Sequence, residues 1–324
     1  MNEKTCAVLV TFNRKELLIE CIDGLLKQTR KPNTVYIVDN ASTDGTPEFL
    51  KERNLIRELP PETFPENTWK HTCSSHDVTI RYLRMKKNTG GAGGFREGMK
   101  NAFEEGFEWL WLMDDDVEPM PDALERLLRY HHLSKCIHCN RVYKEGEEVL
   151  WEPMICPQSG KRIELNNLSF RHGKPYFSTN TACFEGMLIH KEIVEKIGYP
   201  DERFFIVYDD TVYGVLASQF TNILCVKDAL LIKKINKDAE PPSPFFIYHS
   251  VRNYKLRQAY IEHVYGPSVQ KKILPYVVFL AYLLRLPFYK GNKSAYFKAL
   301  VRGFVDSFSF SSVPMVPTGE KERA

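Results

Sequence analysis

Strand-like and helix-like segments alternate through the first part of the chain, and that alternation constrains the fold more than any other feature. TCAVLVTFN (Thr5 to Asn13) is a short β-branched apolar run, and RKELLIECIDGLLKQ follows it with Leu17, Leu18, Cys21, Leu25 and Leu26 on a helical period. TVYIVDN is a second buried strand, after which ASTDGTPEFLKE turns into another helix. VTIRYLRM and FEWLWLM are further strands, separated by the Gly-rich NTGGAGGFREGMKNAFEEG. This spacing predicts an α/β protein with a parallel, doubly wound sheet. In such sheets a ligand lies beyond the carboxyl ends of the strands. TFNR, DNAS and DDD all fall at such ends, so three polar clusters from separate strands converge on one crevice.

Beyond residue 135 the pattern changes. Cys136 to Ile206 is irregular, strand-rich and broken by Pro and Gly, and it is expected to cover the acceptor side of the crevice. EPPSP (Glu240 to Pro244) reads as a linker or turn, and the remainder as helical. With 324 residues, 43% of them hydrophobic and 26% charged, there is room for one large domain with an appendage or for two domains. The formal charge of +3 conceals an asymmetry, because Val251 to Gly303 carries ten Lys/Arg against one acid, Glu262, while the remainder is net acidic. A basic tail on an acidic body suggests an anionic partner, either a membrane surface or nucleic acid. The basic groups are interleaved with long aliphatic runs, which argues against nucleic acid. ILPYVVFLAYLLRLPF (Ile273 to Phe288) is interrupted by Pro275, Arg285 and Pro287. A membrane span needs about 20 apolar residues, so an interfacial or buried helix fits this run better.

The polar clusters suggest specific chemistry. Asp114, Asp115 and Asp116 close a strand, where side chains alternate in direction, so Asp114 and Asp116 can face one way and Asp115 the other. Two hard oxygen donors on one side suit Mg²⁺ or Mn²⁺, which leaves sites for water and substrate phosphates. A solvated acidic turn ahead of a helix near Pro121 is the alternative. Asp39 and Asn40 end another strand, where a carboxylate can accept from a base N–H or simply build an Asx-rich turn. Asn88 to Gly98 offers close backbone approach and a helix start near a diphosphate, but without the Lys-Ser/Thr of a P-loop. Asp209 and Asp210 follow an aromatic run that could raise a carboxylate pKa into the general-base range; a surface turn is the plainer alternative. The eight cysteines are scattered, several within apolar runs, and Met1 leads almost directly into a strand, so reduced cytoplasmic thiols are expected. CIHC (Cys136 to Cys139) has metal-ligand spacing, with Cys156 and Cys183 as completions, yet no second CxxC or HxxxH follows. Plain core cysteines are the expectation.

Taken in order, VTFNR, DNASTDGT, NTGGAGGFREGM, WLWLMDDDVEP, GMLI and FFIVYDD resemble the GT-A fold glycosyltransferases of family 2. The likeness is closest to bacterial galactofuranosyltransferases, with rhamnosyltransferases related; it covers Thr5 to about Gly214, and Arg252 and Asn253 echo a later feature. The resemblance implies a GT-A catalytic domain over 1–240, with a nucleotide-sugar half to about 135 and an acceptor half from about 136, followed by a helical basic region over 241–324. It implies inverting transfer from a nucleotide sugar, UDP-linked first, to a glycan or lipid-linked glycan at the inner face of the cell membrane. Asp114 and Asp116 would hold Mn²⁺ or Mg²⁺ on the diphosphate, and Asp115 would help place ribose or sugar. Thr11, Asp39 and Arg84 would lie around base and ribose, and Phe12, Asn13, Arg14 and Asn40 belong to the same donor-binding set. Asn88, Gly90 and Gly91 would lie beside the nucleotide. Asp210, with Asp209 as its alternate, would be the general base.

Two departures stand out. The family pattern continues after its acidic pair with an acid and an Arg, where this chain reads DDTVYGVLAS. Members also supply a His to the metal about two dozen residues past the pair, where this chain has LLIKKINKDAE; His249 is the candidate substitute. Rival readings are a rhamnosyltransferase using dTDP-rhamnose, a sugar nucleotidyltransferase, and a non-catalytic nucleotide-binding subunit of a polysaccharide-assembly complex. A nucleotidyltransferase would be expected to carry a basic Gly-rich first loop, where this chain has TFNRKE.

Overall fold

The computed structural model describes residues 3–75, 77–147, 149, 153–165, 170, 173–235, 242–309 and 313. In chain order come β1 (Thr5–Thr11), α1 (Lys15–Leu26), β2 (Thr34–Asp39), α2 (Thr46–Glu52), β3 (Thr68–Ser75), β4 (Val78–Met85), α3 (Gly90–Glu104) and β5 (Trp109–Asp114). A turn at Asp115 and Asp116 leads into β6 (Val117–Pro119), then α4 (Ala123–Leu128) and β7 (Cys136–Tyr143). Among the described residues, β8 (Pro153–Ile155) and β9 (Arg162–Glu164) pair only with each other. Next are β10 (Tyr176–Thr179), β11 (Met187–His190), α5 (Lys191–Ile197), α6 (Asp209–Ala217) and β12 (Ile223–Lys233). Three helices follow, α7 (Pro244–Tyr265), α8 (Val269–Arg285) and α9 (Lys293–Asp306).

Ten strands make one mixed sheet in the order β10-β12-β7-β11-β5-β1-β2-β4-β3, with β6 joined to β12. Six of them (β1, β2, β4, β5, β7 and β12) run the same way, so the expected mostly parallel, doubly wound architecture is the one observed. The central strand β1 is buried along its whole length because helices cover both faces. Its Ala7 and Leu9 pack with Leu18 and Ile22 of α1, while Val8 and Val10 pack on the opposite face with Ala92 and Phe95 of α3. β3 was not legible as a strand. Among the described residues it pairs only with β4, and its sequence TWKHTCSS is largely polar.

The same period-two rule disposes of CIHC as a metal motif. Cys136 and Cys139 of β7 are three residues apart on a strand and therefore enter the two opposite cores. All eight cysteines are free.

The boundary expected near residue 240 falls outside the described residues. Past it, α7 is built into the main body: Leu256 and Tyr260 share a core with Val8, Phe95 and Phe204. By contrast α8 and α9 lean on α7 through a small separate cluster around Ile247, Val251, Tyr296 and Leu300. The outward face of α8 exposes Val269, Ile273, Tyr276, Val277, Leu280 and Leu284, and that of α9 exposes Phe297, Val301 and Val305. These positions recur at helical spacing, so each helix presents an apolar stripe. Among the described residues, no helix is long and apolar enough to cross a membrane.

Candidate active site

The acidic turn between β5 and β6 is the centre of the site. Asp115 turns toward the end of β1, accepting from Thr11 Oγ1 at 2.7 Å, from the Phe12 N–H at 3.4 Å and from Arg14 Nη1 at 3.1 Å. Burial pushes its pKa up against the opposing pull of Arg14 and Thr11. Asp114 and Asp116 face a different neighbour, Glu185, and one carboxylate oxygen from each of the three lies within 4.8 Å of the others. Asp116 is fully buried, with Arg14 Nη1 3.2 Å from one oxygen and Lys233 Nζ 3.5 Å from the other. Glu185 accepts from Lys233 Nζ at 2.5 Å and from Arg141 Nη1 at 2.6 Å. Burial alone would raise the pKa of Glu185, but Arg141 and Lys233 hold it below the ordinary carboxylate range.

On the other side of β1 lies a second buried carboxylate. Asp39 Oδ2 accepts from Tyr82 Oη and Arg84 Nη1, both at 2.6 Å, and Oδ1 accepts from the Ser42 N–H at 2.8 Å. Arg84 also donates to the Ser42 carbonyl at 2.7 Å, so the DNAS turn is clamped to the end of β4. Asn13 enters the left-handed region (φ 55°); its N–H donates to Ser42 Oγ at 3.0 Å, and its side-chain oxygen accepts from the Thr43 N–H at 2.6 Å. The first two strand-end loops are thereby joined into one wall.

Asn40 and the glycines have mainly internal partners. The Asn40 amide donates to the Gly90 carbonyl at 2.7 Å and accepts from the Thr89 N–H at 2.9 Å, while Asn88 accepts from the Gly90 N–H at 2.8 Å. Gly90 has φ +72°, and a Cβ there would sit 2.0 Å from the Phe205 carbonyl oxygen. Added Cβ atoms would stand 2.5 Å from Val10 at Gly94 and 2.4 Å from Val8 at Gly98. The run read from sequence as backbone approach to a diphosphate is thus largely a close helix–sheet packing surface. Gly91 differs, because nothing lies within 4 Å of its added Cβ.

Asp209 and Asp210 begin α6, at the end of a strained loop. Phe205, Val207 and Tyr208 all have positive φ (63°, 73° and 72°), which is costly for residues with bulky or branched side chains. The Arg-Asn pair of α7 holds that loop in place. Asn253 Nδ2 donates to the carbonyls of Phe204 and Ile206 at 2.8 and 2.6 Å, and Arg252 Nη2 to those of Arg203 and Phe204 at 2.7 and 2.8 Å. Asp210 accepts from the Thr211 N–H at 2.5 Å, while Asp209 lines a cavity of about 310 Å³ with Arg96, Tyr199, Phe204 and Tyr260. Burial raises the pKa of both. Asp209 is pushed further by Asp210 and Asp114, and Asp210 by Glu185, so the acidic pair and the acidic turn share one field.

His249 is not part of the carboxylate group. Its ring stacks on Phe205 (centroids 5.2 Å apart, 15° between planes) and meets Phe245 and Tyr248 edge-on. Burial and Arg252 depress its pKa to about 4. Sequence reading missed Glu185, Arg141, Lys233 and Tyr82 altogether. Glu185 directly precedes the GMLI motif, but a lone Glu carries no signal until the fold sets it beside Asp114.

A mixed sheet in this strand order, with acids gathered at the β5–β6 turn, is a GT-A-like architecture. Residues 6–198 match the glycosyl transferase family 2 model, and the chain belongs to that family. It is 30% identical over 224 residues to the galactofuranosyltransferase GlfT1 of Mycolicibacterium smegmatis, covering 64% of this chain and 63% of that one. The alignment therefore spans less than two thirds of that relative's length. The dTDP-rhamnosyl transferase RfbF of Shigella flexneri is 23% identical over 266 residues, covering 78% of this chain and 79% of its own. Among solved structures, the mannosyltransferase PcManGT from Pyrobaculum calidifontis, in complex with GDP-Man and Mn²⁺, superposes with a TM-score of 0.56. That match covers 95% of this chain and 88% of the other at 16% identity, a likeness of fold.

Proposed function

We propose that this protein is an inverting glycosyltransferase that moves galactofuranose from UDP-galactofuranose onto a lipid-linked glycan of the cell envelope, at an anionic membrane surface. The observation that carries the reading is the meeting of two acidic groups. Asp114, Asp116 and Glu185 gather at the acidic turn, and of these Asp114 raises the pKa of Asp209 and Glu185 that of Asp210. Three hard oxygen donors within 4.8 Å fit Mn²⁺ or Mg²⁺, and Asp114, Asp116 and Glu185 would hold it. Bound there, the ion supplies positive charge against a departing diphosphate.

The chain's own residues would do the rest. The Asp39, Tyr82 and Arg84 cluster and the Asn13–Ser42 wall shape the nucleotide end of the crevice. Asp210 takes the proton of the acceptor hydroxyl while that oxygen bonds to the anomeric carbon on the face opposite the diphosphate. The bond from that carbon to the diphosphate oxygen breaks, and its electron pair leaves with the diphosphate. Positive charge develops on the sugar in between, as in glycoside hydrolysis.

A dTDP-rhamnose donor is the second reading, favoured by the larger share of both chains that the rhamnosyl relative covers. Released nucleotide decides between them when UDP-galactofuranose, UDP-galactopyranose, dTDP-rhamnose and UDP-glucose are screened with Mn²⁺ and a lipid-linked acceptor. UDP release from UDP-galactofuranose alone is the expected result. Release from dTDP-rhamnose alone replaces the donor, and release from none assigns the chain to a non-catalytic subunit.

A further inference from the structure

We propose that Lys233 is a built-in cation of the donor site, a direct ligand for the diphosphate that shares with the metal the task of holding the leaving group. The inference rests on the donor reading above and adds a residue to it. Lys233 is the last residue of β12, where its backbone stands opposite Val117, next to the acidic turn. Strand alternation separates it from its neighbour. Lys234 turns outward to Glu20 and Glu118, whereas Lys233 is buried and reaches Glu185 at 2.5 Å and Asp116 at 3.5 Å.

Neither carboxylate needs the lysine for charge balance alone. Glu185 already has Arg141 on its other oxygen at 2.6 Å, and Asp116 has Arg14 at 3.2 Å. Among the described residues Lys233 makes two carboxylate contacts, and an ammonium has three N–H donors. The cation is therefore fixed between two of the three groups that would carry a metal, with donor capacity to spare. A diphosphate bound against those carboxylates would come within its reach. Phosphate oxygens are strong acceptors for such a donor, more so away from water. The stretch that holds Lys233 is where the family resemblance leads one to expect a histidine for the metal; a lysine cannot ligate while protonated, but it can bind phosphate directly.

The test is equilibrium binding of UDP and of dTDP by calorimetry, in Mn²⁺ and in EDTA, to the wild type, Lys233→Met, Lys233→Arg and the double variant Lys233→Met/Glu185→Gln. The double variant removes the carboxylate that the single change leaves short of a partner, and melting temperatures confirm that each variant is folded. The wild type should bind one of the two nucleotides in both conditions, more weakly in EDTA. Losing a charge-assisted hydrogen bond should weaken binding in EDTA by about 10- to 100-fold in both methionine variants, with a smaller loss in Mn²⁺ for Lys233→Met, which keeps all three carboxylates. Lys233→Arg should retain most of the EDTA binding. Equal EDTA affinities across the set, or no wild-type binding in EDTA despite binding in Mn²⁺, would reduce Lys233 to a structural strut. If the wild type binds neither nucleotide even with Mn²⁺, the donor reading itself fails and takes this inference with it.

Discussion

Asp209 and Asp210 are adjacent carboxylates whose pKa values are both raised, yet they face different surroundings. Asp210 shares the field of Glu185, while Asp209 lines the cavity floored by Phe204 and Tyr260. A base serves only when ionised, so a raised pKa moves the loss of activity upward in pH. The acid limb of kcat/KM should lie above the ordinary aspartate value of about 4, and transfer should fall as pH drops through it. Asp210→Asn should lower kcat by about 10²–10⁴-fold and leave UDP affinity within a few-fold. A larger loss in Asp209→Asn would move the base to that residue. Stability runs the other way. The folded protein holds a proton on Asp209 at a pH where the unfolded chain has released it, so its contribution to stability diminishes as pH rises from the unfolded pKa through the folded one. Asp209→Asn carries no charge to bury and should raise the melting temperature at pH 7 but not at pH 4, as thermal scans at the two pH values would reveal. Asp116 differs again, because two cations surround it. Asp116→Asn should abolish transfer and weaken nucleotide binding in Mn²⁺ with the fold intact by circular dichroism; undiminished turnover would remove it from the metal site.

At the level of the element, α3 separates two uses of glycine. Gly98 permits close packing, since an added Cβ would stand 2.4 Å from Val8 and 2.8 Å from Val38. Overpacking costs about 1–3 kcal/mol, more than the roughly 1 kcal/mol that Gly→Ala gains in helix propensity, so Gly98→Ala should lower the urea midpoint. Gly91→Ala meets nothing within 4 Å and should keep that midpoint or raise it. If the nucleotide approaches the backbone there, Gly91→Ala alone should weaken UDP binding, which calorimetry on the two variants would separate. The loop ahead of α6 follows similar logic. Its strain persists because Asn253 and Arg252 hold four of its carbonyls in five hydrogen bonds.

Across the whole molecule, the two apolar stripes of α8 and α9 occur in the same region as the basic surplus. Lys272, Arg285, Lys290, Lys293, Lys298 and Arg302 are all exposed there. Exposed apolar side chains edged by cations suit an anionic lipid surface, each basic group adding about 1 kcal/mol near it. The full chain should co-sediment with anionic liposomes at low salt and be partly released at high salt. The triple change Val277→Ser, Leu280→Ser, Leu284→Ser should weaken that binding with no change in donor hydrolysis. Cutting the chain near residue 240 would be a poor test, because α7 buries Leu256 and Tyr260 in the main core. No sedimentation at low salt would leave α8 and α9 as structure only.

Local chemistry was enough to read the parallel sheet, the acids at the end of β5 and the aspartates after the aromatic run, because each is written in consecutive residues. Burial on both faces gives β1, β2 and β5 continuous apolar runs, and the charges that follow mark where those strands end. The edge strand β3 left no such trace, since its one partner and exposed face permit polar residues. Tertiary structure alone decided the meanings that depend on distance. Glu185 and Lys233 meet Asp116, and Arg141 meets Glu185, because β11, β7 and β12 lie side by side. Sequence alone could not say which glycines of α3 stand against Val8, Val10 or Phe205, as Gly98, Gly94 and Gly90 do, and which stands open, as Gly91 does. Sequence records what each residue can bond to; only the packed sheet determines which partners come within a few ångströms.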